Sequence, residues 1–133
     1  MQKAKLINLP KIEDLRGNLT FVEANNHVPF NIKRVYWVYD VPGGEMRGGH
    51  AFKKNKEFII ALSGSFDVII KDGNTRKKIS LNRSYYGFYV PNKLWRSLEN
   101  FSTNALAIVL SSSLFDSADY IRDFKEFKKL VSK

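Results

Sequence analysis

Moving a proton near neutral pH calls for an imidazole, and this chain has two histidines. His50 lies in GEMRGGHAFKKNKEFIIALSG, Gly44 to Gly64, with Phe52 two residues on and Glu57 seven residues on. Residues two apart on an extended strand point to the same face. His50 and Phe52 are therefore expected to look into one space. A neutral imidazole there can take a proton from carbon and give it back. His27 sits in the turn-rich stretch Asn25-Asn26-His27-Val28-Pro29 with no partner at ligand spacing, and reads as an exposed loop residue. A phenol on a cavity face would serve as a general acid or as a donor to a developing oxyanion.

These residues need strands to hold them. Lys5 to Leu9 reads as an edge strand closed by Pro10. The turn signal Asp14-Leu15-Arg16-Gly17-Asn18 precedes a strand candidate, Leu19 to Glu23. IKRVYWVYD, Ile32 to Asp40, is β-branched and aromatic throughout, with Val35, Trp37 and Tyr39 on one face and Arg34, Tyr36 and Val38 on the other. A run apolar on both faces predicts a strand covered on both sides. Glu57 to Leu62 and Phe66 to Ile70 are joined by Ser63-Gly64-Ser65, and Asp72-Gly73 signals a hairpin into Arg76 to Leu81. Tyr85 to Val90 and Ala105 to Leu110 follow. Short strands at this spacing predict an all-β sandwich or barrel. Tyr120, Ile121, Phe124, Phe127 and Val131 recur at helical spacing, which predicts an amphipathic helix from Asp116 to about Val131, capped by Asp116 or Ser117.

The 133 residues suit one domain spanning 1–133, and 44% hydrophobic with 14% aromatic residues suits a packed core. Without cysteine there is neither a disulfide framework nor a thiolate site. No signal peptide or membrane-length apolar run is visible, so a cytoplasmic protein with no membrane partner is expected. The net charge of +9 favours an anionic ligand. The cations are scattered over Lys53-Lys54, Arg76-Lys77-Lys78 and Lys125 to Lys129, with no nucleic-acid recognition motif, so no nucleic-acid partner is expected.

The spacing of Gly44, His50, Glu57 and Gly64 resembles the first motif of the cupin superfamily. RVYWVYD, RGGHAFKK and DYIRDFKEFK resemble one branch, the sugar 3,4-ketoisomerases acting on dTDP-4-keto-6-deoxyhexoses, often called WxcM-like. The resemblance covers nearly the whole chain. Phe52 departs from it, standing where typical members have a second histidine. The resemblance implies a cupin double-stranded β-helix, a jelly-roll barrel, with a C-terminal α-helix. It implies a homodimer with exchanged strands and a dTDP-linked keto sugar as substrate. It also implies roles: His50, Tyr36 and Arg47 catalytic; Arg16, Phe52, Arg96 and Glu57 on the substrate, with Arg16 at the pyrophosphate.

The cupin metal ring has two or three histidines and a glutamate. Here Phe52 and Arg96 stand at two of those positions, leaving His50 and Glu57 alone, so no metal and no cofactor are expected. The activity implied moves a ketone from C4 to C3 through an enediol, with His50 as base. Phe52 leaves open a catalytically silent cupin that binds a sugar nucleotide, or a related sugar epimerase.

Overall fold

Valine, isoleucine and aromatic residues fill the strands of two five-stranded antiparallel sheets, as side chains that pack well on a pleated surface do. The computed structural model describes residues 3–132. In chain order the strands are β1 Lys5–Asn8, β2 Lys11–Ile12, β3 Leu19–Thr20, β4 Arg34–Val38, β5 Arg47–Phe52 and β6 Glu57–Ser63. Then come β7 Phe66–Lys71, β8 Arg76–Leu81, β9 Tyr86–Val90, β10 Trp95–Glu99, β11 Leu106–Ser111 and β12 Tyr120–Ile121, with helix α1 at Phe124–Val131. One sheet runs β1-β9-β6-β11-β4 and the other β12-β5-β10-β7-β8, while β2 and β3 form a separate hairpin. This is the expected jelly-roll barrel.

The main core lies between the sheets. Ile59, Val109 and Phe88 of one sheet pack with Phe66, Val68, Ile70 and Leu98 of the other. Each such side chain contributes about 1.5–3 kcal/mol on burial. A second cluster coats the outer face of the first sheet, where Val28 and Phe30 cover Phe58, Ile60 and Leu110. A third lies under α1 and joins Phe127 to Ala51, Ile121 and Trp95. The loop glycine Gly64 has φ +67°, and a Cβ there would come within 2.8 Å of the Ala105 backbone, so the turn after β6 needs glycine.

Four expectations change. The strand expected to be covered on both sides, β4, leaves Val35 and Trp37 44% and 58% exposed on its outer face. The strand expected over Leu19 to Glu23 pairs only at Leu19–Thr20; Val22 turns instead onto the outer cluster. His27 is half-buried: its Nδ1 accepts the Glu23 N–H at 2.8 Å and its ring meets Phe21 edge-on at 5.4 Å. The expected helix from Asp116 is half as long. Asp116 caps a single 3-10 turn, Ser117–Asp119, and Tyr120–Ile121 then extend along the free edge of β5, opposite Phe52 and Ala51. That edge's backbone groups need partners, and a Tyr-Ile pair suits a strand. Asp123, in extended conformation, accepts the Lys125 N–H at 2.9 Å and starts α1 there. The apolar residues read as one helical stripe still meet in one cluster under α1, except Tyr120.

Candidate active site

The open end of the barrel holds a cavity of about 640 Å³, with walls from β4, β5, β10 and the segment around β12. The strand pleat decides who faces it. On β4 the alternation puts Arg34, Tyr36 and Val38 on the cavity. On β10 it puts Arg96 and Leu98 there, with Arg96 directly opposite His50; on β5 a register shift between the Arg96–His50 and Leu98–Arg47 pairs lets Arg47 line the cavity as well, three residues from His50. Tyr120 and Arg122 close one side and Phe115 stands at the mouth, 65% exposed.

Beneath these residues lies a buried polar network. Arg96 is 3% exposed and Glu57 1%. Arg96 Nε and Nη2 meet Glu57 Oε1 at 2.9 and 2.8 Å, and Nη2 donates to the Tyr36 hydroxyl at 2.6 Å. Tyr36 in turn donates its proton to Glu57 Oε2. Arg96 Nη1 lies 3.4 Å from the Gly48 carbonyl. Gly48 has φ +73°, and a Cβ there would stand 2.2 Å from that Nη1. This glycine makes room for a buried arginine. Burial works against the charge on Arg96, but Glu57 and Tyr36 outweigh it, so its pKa rises and the guanidinium stays charged. Burial pushes the Tyr36 phenol well above its ordinary value; Arg96 opposes this and Glu57 adds to it.

His50 stands on this floor, 6% exposed, with Nε2 buried and without a hydrogen-bond partner among the described residues. Burial first, then the charges of Arg96, Arg122 and Arg34, hold its pKa down to about 3. The ring is neutral at physiological pH, with a nitrogen free for a ligand. Phe52 and Tyr120 pack edge-on against it, with centroids at 4.8 and 5.0 Å.

The residues singled out from the sequence are not all brought together. Four line the cavity: His50, Tyr36, Arg47 and Arg96. Glu57 lies behind it, with both carboxylate oxygens taken by Arg96 and Tyr36, and is placed to position them rather than to touch a ligand. Phe52, expected to look into the same space as His50, does share its face, but it does not line the cavity and packs instead behind His50 and Tyr120, which do. Its ring is buried and packs 4.6 Å from Tyr120. Arg16 lies outside the cavity on the turn between β2 and β3, its side chain 90% exposed and paired to Asp14 at 2.8 Å.

The reading of the sequence missed Arg34, Tyr120 and Arg122. Arg34 was legible, being two residues before Tyr36 and so on the same strand face. Tyr120 and Arg122 were hidden by the helical spacing.

Comparison with known proteins shows the family of the chain. The model of the WxcM-like, C-terminal family matches residues 2–132. A curated TDP-4-oxo-6-deoxy-α-D-glucose 3,4-oxoisomerase of Aneurinibacillus thermoaerophilus is 43% identical over 129 residues, 97% of this chain and 93% of the relative. The chain belongs to the WxcM-like family of sugar 3,4-ketoisomerases. The WxcM-like fold is reproduced in solved structures. A TDP-quinovose 3,4-ketoisomerase from Campylobacter jejuni is 43% identical, with a TM-score of 0.93 over 97% of this chain and 99% of that one. The 3,4-ketoisomerase of Thermoanaerobacterium thermosaccharolyticum, solved as a His→Asn variant with TDP-4-keto-6-deoxyglucose, is 32% identical. It gives a TM-score of 0.96 over 99% of this chain and 96% of that one. Kinship with these WxcM-like enzymes supports the ketoisomerase over a silent cupin or an epimerase.

Proposed function

We propose that this chain converts a TDP-linked 4-keto-6-deoxyhexose into its 3-keto isomer, with His50 moving the proton between the two carbons. The observation that carries this reading is the buried, neutral, unpartnered Nε2 of His50 on the floor of a cavity walled by arginines. The C4 ketone makes the C3 proton acidic. His50 takes that proton, the C3–H electron pair forms the C3=C4 bond, and O4 gains a proton to give the enediol. O3 then loses its proton, C3=O forms, and His50 returns its proton to C4.

Tyr36 is the group placed to pass the oxygen-bound proton. Its hydroxyl can give its proton to O4 as the enediol forms, leaving a phenolate held by Arg96, and takes a proton back from O3 as C3=O forms. Arg96 holds the phenol oxygen and offsets negative charge on it. Arg47, Arg34 and Arg122 are the cations available for the diphosphate. One carbon base on one face suffices for this cycle, so Phe52 is compatible with turnover; it keeps the imidazole dry.

The same reading includes a homodimer. Val35, Trp37 and Tyr39 are 44%, 58% and 61% exposed, and Ile12, Leu15 and Leu19 on and beside the β2–β3 hairpin are exposed as well. Such apolar surface is unusual on a monomer. Exchange of the hairpin between copies is the arrangement in which Arg16 would reach a diphosphate.

The test is solvent-deuterium exchange at C3 of TDP-4-keto-6-deoxyglucose. Wild type exchanges and isomerises. His50→Asn folds, binds TDP and loses about two to four orders of magnitude in exchange rate. Near-normal exchange in that variant would refute the role of His50.

A further inference from the structure

The cavity carries far more positive than negative charge. Arg34, Arg47, Arg96 and Arg122 line it, and none of its lining residues is acidic. Glu57 offsets Arg96 alone. Arg34 lies over the rings of Tyr36 and Phe115 at 5.5 and 5.7 Å, and its Nε is buried without a hydrogen-bond partner among the described residues. Arg122 lies over the ring of Tyr120 at 4.3 Å. Neither forms an ion pair among the described residues. Both guanidinia are held in place by aromatic faces with their charge uncompensated.

His50 sits inside this field. Every element around it contributes: Arg47 on its own strand β5, Arg96 opposite on β10 with Glu57 of β6 bound to it, Arg34 and Tyr36 on β4, and Tyr120 with Arg122 at β12. A carbon base must hold a proton for part of the cycle. In the free protein that proton would lie, desolvated, among cations.

We propose that Arg34 and Arg122 seat the nucleotide's diphosphate and that the seated diphosphate, by cancelling their charge, is what makes His50 basic enough to work. They are positioning residues that act on His50 through the bound anion. The free enzyme would thus hold a base too weak to attack stray carbonyl compounds, and only a nucleotide-linked sugar would bring the group that activates it. This rests on the cavity being the TDP-sugar site. Dehydration of the cavity by the nucleotide acts in the opposite direction, so the sign of the change is diagnostic.

His50 and His27 are the only histidines, so histidine-labelled protein gives two imidazole signals. These are titrated by NMR from about pH 8 to about pH 4.5, with and without TDP at saturation established by calorimetry. The expected result is that free His50 stays neutral throughout, TDP-bound His50 titrates above about pH 5, and His27 does not respond to TDP. Arg122→Gln should weaken TDP binding about tenfold or more and make His50 more basic in the free protein. The added effect of TDP should shrink in that variant. TDP that binds yet leaves His50 neutral at every pH overturns the inference, as does an Arg122→Gln variant unchanged in both respects. Failure of TDP to bind at all removes the TDP-sugar reading and the inference with it. Binding with the expected shift but no isomerisation in the exchange assay would sink the proposed reaction alone.

Discussion

The two faces of β4 differ by one step in the pleat and share almost nothing in environment. Arg34, Tyr36 and Val38 face the cavity, whereas Val35, Trp37 and Tyr39 stand 44–61% exposed on the other side. Both rows are rich in apolar and aromatic side chains, so composition does not separate them. What separates them is the partners that reach each face. Glu57, two strands away in the same sheet, and Arg96, from the opposing sheet, converge on the Tyr36 hydroxyl. Among the described residues Trp37 is left 58% exposed. The inner face is chemically committed by its neighbours, while the outer face is exposed apolar surface, which a second copy covers in the proposed dimer.

Changes on the two faces should accordingly fail in different ways. The largest effect is expected beneath the inner face. Glu57→Ala leaves Arg96 buried and uncompensated, which should cost about 3–5 kcal/mol of stability. Denaturant unfolding reads this directly, and a loss under about 1 kcal/mol would mean that Arg96 finds water or another partner. Next, Tyr36→Phe should lower kcat about a hundredfold, about 2.7 kcal/mol of barrier, while TDP affinity measured by calorimetry stays put. A parallel loss of TDP binding would show that Tyr36 holds substrate rather than relays protons.

On the outer face, Trp37→Lys should leave each subunit folded, within about 0.5 kcal/mol, yet shift sedimentation toward the monomer. An unchanged mass would detach this face from the dimer. The smallest effect is expected at Phe52, behind His50. Phe52→His should change turnover less than about tenfold, because its ring is buried and does not line the cavity. A gain of several hundredfold would show that a second imidazole is needed after all.

Much of the barrel was legible because strand signals are local. The β4 run, the Asp72-Gly73 hairpin between β7 and β8, and the apolar β11 all fall where periodicity and turn chemistry put them. Strand β10 was not anticipated. Its inward residues are Arg96 and Leu98, and a charge at an interior position breaks the alternation that marks a half-buried strand. The C-terminal stripe misled for the opposite reason. Its spacing fits a helix well, but the free edge of β5 takes Tyr120–Ile121 as a strand, and that competition is tertiary.

The sequence by itself determined that the chain is all-β, that His50 is its candidate base, and that its motifs resemble those of the sugar ketoisomerases. Each of these is written in neighbouring residues, through two-residue alternation, turn glycines and motif spacing. Only the tertiary structure decided what surrounds the base. Glu57 reaches Arg96 across 39 residues, and Arg96 reaches Tyr36 across 60. Arg34 and Arg122 come to one cavity from positions far apart in the chain. The protonation of His50, the commitment of Glu57 and the seclusion of Phe52 all follow from these encounters, because charge and desolvation act through space and leave no periodic trace along the chain.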